Sequence, residues 1–140
     1  MTYLLDTNVV SEFRKRQPDV NVLAWHSTVD SARLFLSVLT IGEIRRGIEH
    51  LRRKDAASAE VIEAWLRGLQ VSYQDHLVDV DAHIAEEWGR MNSRDPLPIV
   101  DGLLAATAKV RGWTLVTRNV ADLRHCGVPM LNPFEAASAR

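Results

Sequence analysis

Short apolar runs alternate with longer stretches of helical periodicity along this chain, and that alternation limits the fold more than any other feature. Tyr3-Leu4-Leu5, Leu34-Phe35-Leu36-Ser37-Val38, His76-Leu77-Val78-Asp79-Val80, Trp113-Thr114-Leu115-Val116-Thr117 and Pro129-Met130-Leu131 read as strands. Between them lie helical patterns. One runs on to Glu12, and a second, opened by Pro18, puts Val22, Trp25 and Val29 on one face. A third starts at Thr40 and carries Ile41, Ile44, Ile48 and Leu51, spaced by threes and fours. Its other face bears Arg45, Arg46, Arg52 and Arg53. A fourth, opened by Asp55, has the stripe Ile62, Trp65, Leu66 and Leu69. Asp81 to Asn92 turns Ile84, Trp88 and Met91 inward, Ile99 to Val110 ends at Gly112, and Val120 to Arg124 is short. Strands separated by helices build βαβ units, hence a mostly parallel sheet covered on both faces. The expectation is a three-layer α/β/α sandwich with a central sheet of about five strands. A single domain over residues 1–140 is expected, large enough to bury a core without disulfides or a structural metal.

The 17 Lys+Arg and 18 Asp+Glu give a net charge of −1, which excludes a chain coated with cations for phosphate but leaves room for local basic patches. One cysteine, Cys126, can form neither an internal disulfide nor a Cys-rich zinc site. The N-terminus has no basic region followed by a long apolar run, and no stretch reads as a membrane span. A cytoplasmic protein with no membrane partner is expected.

In a parallel sheet the ligand site lies beyond the carboxyl ends of the strands. Asp6 ends the first strand, Glu43 lies in the first turn after the second, and Asp101 opens the helix near Ile99. Asn119 and Asp122 follow the Trp113–Thr117 strand. Each also has a purely structural role open to it. Asp6 and Asn119 suit helix N-caps, Thr40-x-x-Glu43 matches a capping box, and Asp101 complements a helix dipole. Two arguments favour chemistry. The helix Ile99 to Ala106 is apolar nearly all round, so an ionised Asp101 there needs a counter-charge that a dipole benefit under ~1 kcal/mol does not provide. Carboxylates gathered at one sheet edge also repel unless a cation sits among them or their pKa values rise. Oxygen ligands without a His or Cys cluster select Mg²⁺ or Mn²⁺ over zinc, and Mg²⁺ usually meets substrate phosphate. Hydrolysis of a phosphodiester follows as the indicated chemistry.

Other machinery is missing. No GxxxxGK[ST] loop and no GxSxG elbow occurs. His26, His50, His76, His83 and His125 lack ligand spacing and read as structural or surface residues. Trp25, Trp65 and Trp88 fall on apolar stripes and read as core or interface.

The chain resembles PIN domains, and among them VapC-type toxins of bacterial toxin–antitoxin pairs. The resemblance is carried by Leu4-Leu5-Asp6-Thr7-Asn8-Val9, by Ser37-Val38-Leu39-Thr40-Ile41-Gly42-Glu43-Ile44-Arg45-Arg46-Gly47, and by Pro98-Ile99-Val100-Asp101-Gly102-Leu103-Leu104-Ala105-Ala106-Thr107-Ala108. Leu115-Val116-Thr117-Arg118-Asn119 and Val128-Pro129-Met130-Leu131-Asn132-Pro133-Phe134 follow in the same order.

The resemblance implies a metal-dependent toxin endoribonuclease that restrains translation when its antitoxin is lost, and a homodimer. It implies Asp6, Glu43 and Asp101 as metal-binding acids, Asn8 beside the first carboxylate and Thr117 beside a metal-bound water. Where many members have an Asp after the Thr of the fourth strand, this chain has Thr117-Arg118-Asn119. Either Asn119 or Asp122 then fills the fourth position. Arg14, Arg46 and Arg118 are candidates to hold RNA phosphates, because arginine forks match phosphate oxygens. The helices around residues 18–30 and 55–70 offer apolar surface for a dimer or an antitoxin peptide. An RNA-processing nuclease of the same fold and a non-catalytic scaffold are the alternatives; the scaffold's signature would be loss of Asp6, Glu43 or Asp101, and all three are present. A haloacid-dehalogenase-type phosphotransferase needs an Asp at position 8, where this chain has Asn8.

Overall fold

The computed structural model describes residues 1–139. Strand β1 (Tyr3–Leu5) leads into α1 (Thr7–Glu12) and α2 (Val20–Ser27), then β2 (Leu34–Ser37). Two long helices follow, α3 (Val38–Arg52) and α4 (Ala56–Ser72), then β3 (Leu77–Val78) and α5 (Ala82–Met91). The chain continues through α6 (Ile99–Arg111), β4 (Thr114–Val116), α7 (Val120–Leu123) and β5 (Met130–Leu131). The five strands form one sheet in the order β3-β2-β1-β4-β5, every pairing parallel. Tyr3 pairs with Leu34 on one side and Thr114 on the other, which makes β1 the central strand.

The strands read as continuous apolar runs because both sheet faces are covered, and successive side chains point to opposite faces. Leu5 and Val116 face one core with Val9, Trp25, Ile44, Ile48 and Leu66. Leu4 and Leu115 face the other with Leu104, Ala105, Ala108 and Leu123. A small cluster of Val78, Ile84 and Ala106 fills the β3 edge. The expected three-layer sandwich is therefore what forms.

Several boundaries differ from the sequence reading for local reasons. Helix α3 begins at Val38, not Thr40, because the Ser37 side chain accepts from Leu39 N and takes the N-cap. The Thr40–Glu43 capping box does not form, and Glu43 falls in the second turn. Pro18 does not open α2; Asp19 caps it by accepting from Asn21 N and Val22 N at 2.8 and 3.2 Å. A 3₁₀ turn, Ser31–Arg33, capped by Asp30, precedes β2 and was not legible as a separate element. Strand β3 keeps only Leu77 and Val78 of the five-residue run His76 to Val80. Asp55 and Asp81 cap α4 and α5 as their positions suggested. Gly112 ends α6 at φ 71°, a left-handed conformation that glycine adopts without penalty.

Candidate metal centre

β1 is flanked by β2 and β4; the helix that follows β1 packs Val9 and Val10 into one core, and the helix that follows β4 packs Leu123 into the other. Such a switch point leaves a crevice at the carboxyl edge. Asp6 occupies it. Its backbone N–H donates to Val116 O at 2.9 Å, fixing the end of β1 against β4. Its carboxylate, only 4% exposed, accepts from Thr7 N at 2.6 Å and from Thr117 Oγ1 at 2.8 Å. Asn8 Nδ2 lies 3.4 Å from Asp6 Oδ2, at the long edge of a hydrogen bond. Asp6 therefore serves both as the N-cap of α1 and as the deepest acid of the crevice.

Glu43 arrives from α3. Its Oε1 accepts the Thr7 hydroxyl at 2.5 Å, and Thr40 Oγ1 lies 3.2 Å from that same hydroxyl. Thr7 thus bridges the two acids: its N–H holds Asp6 and its hydroxyl holds Glu43. Sequence reasoning passed over Thr7 and read Thr40 only as a helix start and capping-box partner of Glu43. The signal available for Thr7 was its place directly after the strand-ending Asp6, where the next residue must turn into the same crevice.

Asp101 stands in the first turn of α6, whose N-cap, Pro98, offers no side-chain cap. It is half-buried rather than enclosed, so the lone buried carboxylate expected at Asp101 is instead Asp6. Burial raises the Asp6 carboxyl above its ordinary value against the opposing bonds from Thr117 and Thr7, and the Asp101 and Glu43 charges add to the rise. Burial also raises Asp101, with Glu43 and then Asp122 adding to it. These couplings bring Asp6, Glu43, Asp101 and Asp122 into one electrostatic unit. Among the described residues, no ion pair compensates Asp6, Glu43 or Asp101.

The remaining candidates fall in two groups. Asn119 N donates to Thr117 Oγ1 at 3.0 Å, and no side-chain bond from Asn119 caps α7. Asp122 is exposed, with its charge felt at Asp101. Arg14 and Arg46 each line a groove that also contains Glu43. Arg118 behaves differently: its N–H reaches Asn8 Oδ1 at 3.3 Å, while its guanidinium lies over the Phe134 ring at 3.9 Å. His76 stacks on Phe35 and His26 packs at a tilt against Phe13, as structural residues do.

The donor set is carboxylate, amide and hydroxyl oxygen. Among the described residues, no three His, Cys, Asp or Glu side chains close into a cage for a bare ion. Open, oxygen-only surroundings fit a cation that keeps much of its water, which is the habit of Mg²⁺, and do not fit zinc.

The PIN domain family matches residues 3–125. A parallel sheet with this strand order and an acidic crevice at its switch point is thus a PIN fold, and the chain belongs to the PIN-domain family. Its relatives are toxins and stability proteins of bacteria. It is 32% identical over 142 residues to the VapC ribonuclease Y4jK of Sinorhizobium fredii, covering 96% of this chain and 99% of that protein. It is 28% identical over 137 residues to toxin FitB of Neisseria gonorrhoeae, covering 94% and 97%. The crystal structure of FitAcB from Neisseria gonorrhoeae superposes with a TM-score of 0.87 at 27% identity, covering 96% of this chain and 99% of that one. DNA-bound VapBC from Salmonella typhimurium shares the fold, with a TM-score of 0.78 at 21% identity over 95% and 98%.

Proposed function

We propose that this single nuclease domain is the toxin of a toxin–antitoxin pair and hydrolyses RNA phosphodiester bonds with Mg²⁺, for which Mn²⁺ can substitute. The observation that carries the reading is the Asp6 carboxylate, buried without a cationic partner and facing the charges of Asp101 and Glu43. Repulsion of that kind is kept in a fold when a cation or a proton relieves it. The names of the relatives, ribonuclease and toxin, support the activity.

Asp6 and Asp101 would hold the metal directly, with Glu43 as the third acid. The bound ion supplies activation of water and neutralisation of charge at the phosphate. Thr117 and Thr7 fix the Asp6 oxygens by donating to them. Glu43, held by the Thr7 hydroxyl, orients the attacking water. Asp122 supplies the negative charge of the fourth position beside Asp101, while Asn119 acts through Thr117. Asn8 is braced between Asp6 and the Arg118 backbone. Arg14 and Arg46 flank Glu43 and suit RNA phosphates. Arg118, committed to Phe134, suits that task less.

The antitoxin and a second copy of the chain are the protein partners proposed, and cleavage restrains translation in the cytoplasm. Val20 and Leu23 on α2 and Val61 on α4 are exposed apolar side chains that support such an interface. Calorimetric titration tests the metal reading. Mg²⁺ or Mn²⁺ should bind the wild type, and Asp6→Asn or Asp101→Asn should weaken binding by at least ~10-fold. Equal affinity in both variants would remove these acids from the site.

A further inference from the structure

Along α3 and its C-cap, Arg46, His50 and Arg53 are spaced by four and three residues and so share one face, since Arg53 keeps helical backbone angles. With Glu43, Gly47 and Glu49 they line an open groove of roughly 630 Å³. At 1.5 Å per residue, Arg53 lies about 15 Å along the axis from Glu43, with Arg46 and His50 between them.

The charges around this groove are sorted. Glu49 is the lining acid farther from the crevice, and Arg45 and Arg52 hold it at 3.0 and 3.3 Å. Those two arginines also bind Glu63 and Glu60 on α4. The negative charge on Glu49 is therefore matched from the side facing α4. Arg46 and Arg53 make no ion pair among the described residues. A cationic stripe is left running from open solvent to Glu43, whereas the acidic crevice by itself repels a polyanion.

We propose that Arg46, His50 and Arg53 form a track on α3 that grips successive phosphates of single-stranded RNA and delivers the strand to the acidic crevice. This rests on the nuclease reading for what happens at the end of the track. Arginine forks match phosphate oxygens, and a helical stripe follows a backbone without reading bases. Glu49 pairs with Arg45 and Arg52 and so does not close the groove by a salt bridge to Arg46 or Arg53.

The test measures binding of a labelled single-stranded RNA of mixed sequence to the full-length protein in EDTA, across a range of salt. Each arginine removed should lower the slope of log K against log salt by about 0.7, so Arg53→Gln loses about 0.7 and Arg46→Gln/Arg53→Gln about 1.4. Glu49→Gln should tighten binding, because it removes a carboxylate from the groove wall while Arg45 and Arg52 stay paired with Glu63 and Glu60. Arg33→Gln, at the opposite edge of the sheet beside Met1 O, should leave the slope unchanged. An unchanged slope in the double variant would overturn the track and leave the groove to another anion, such as an acidic peptide. Cleavage by the wild type with Mg²⁺ is scored separately. RNA cutting with an unchanged slope defeats the track alone, whereas a lowered slope without cutting defeats the nuclease reading alone.

Discussion

The Asp6 carboxylate caps α1 and accepts the Thr117 hydroxyl, yet burial and the Asp101 and Glu43 charges favour its protonated form. A carboxyl whose folded pKa is raised contributes stability below its ordinary value near 3.8, and that stability is lost as pH rises through the folded value. At neutral pH without metal, wild-type Asp6 is therefore a net penalty. Asp6→Asn removes the charge, keeps one oxygen to cap Thr7 N, and turns an amide N–H toward the Thr117 hydroxyl oxygen, which can accept it. In EDTA the variant should melt above the wild type at neutral pH, and the gap should close as pH falls below the ordinary carboxylate range. Saturating Mg²⁺ should shift the order toward the wild type, because ligand at about 100 times its Kd adds about 2.7 kcal/mol to the wild type and, with binding at least ~10-fold weaker, no more than about 1.4 kcal/mol to the variant. Thr117→Val removes the hydroxyl that holds Asp6 Oδ2 and should cost about 10- to 100-fold in cleavage rate. Asp6, Glu43 and Asp101 were legible because acids at the ends of buried strands and the starts of helices must share one sheet edge. Thr7 was not, since its bond to Glu43 joins residues 36 apart in sequence and depends on how α1 and α3 pack.

Helix positions were legible wherever apolar residues recur every three or four places, as in α3 and α4. Their starts depended on which of several hydroxyl or carboxyl side chains took the cap. Ser37 outcompeted Thr40 because it ends β2, and its side chain reaches Leu39 N while Thr40 is already inside the first turn. Asp19 outcompeted Pro18 in the same way, with an oxygen that reaches two amides. The α5–α6 contact carries a constraint that no periodicity reveals. A Cβ on Gly102 would come within 3.0 Å of Trp88 Nε1 and Asn92 Nδ2. Asn92 cannot yield freely, since it donates to Trp88 O at 2.9 Å and accepts from Leu97 N at 3.0 Å. Gly102→Ala should therefore destabilise the protein by about 1–3 kcal/mol in urea unfolding. It should also disturb Asp101, its neighbour at the head of α6. A variant as stable as the wild type would mean that α5 and α6 can separate without cost.

At the scale of the molecule, the strand order was not legible, although parallel pairing was. Alternation of strands and helices dictates βαβ units, but it does not say that β4 crosses to the far side of β1. That crossover creates the crevice and seats Thr117 against Asp6, across 111 residues of chain. Apolar side chains left outside the two cores, such as Val20, Leu23 and Val61, put association at this scale as well. Sedimentation equilibrium should give twice the chain mass, and Val20→Asp/Leu23→Asp should shift it toward the monomer if α2 forms the contact. The central claim is that the acids gathered by the crossover cut RNA. It is tested most directly by incubating total RNA with the purified protein, freed of any partner, with Mg²⁺, with Mn²⁺ and with EDTA, beside Asp101→Asn. Discrete fragments that need the metal and fall by at least ~100-fold in the variant are the predicted result. Fragments that persist in EDTA, or at the wild-type rate in Asp101→Asn, would contradict it.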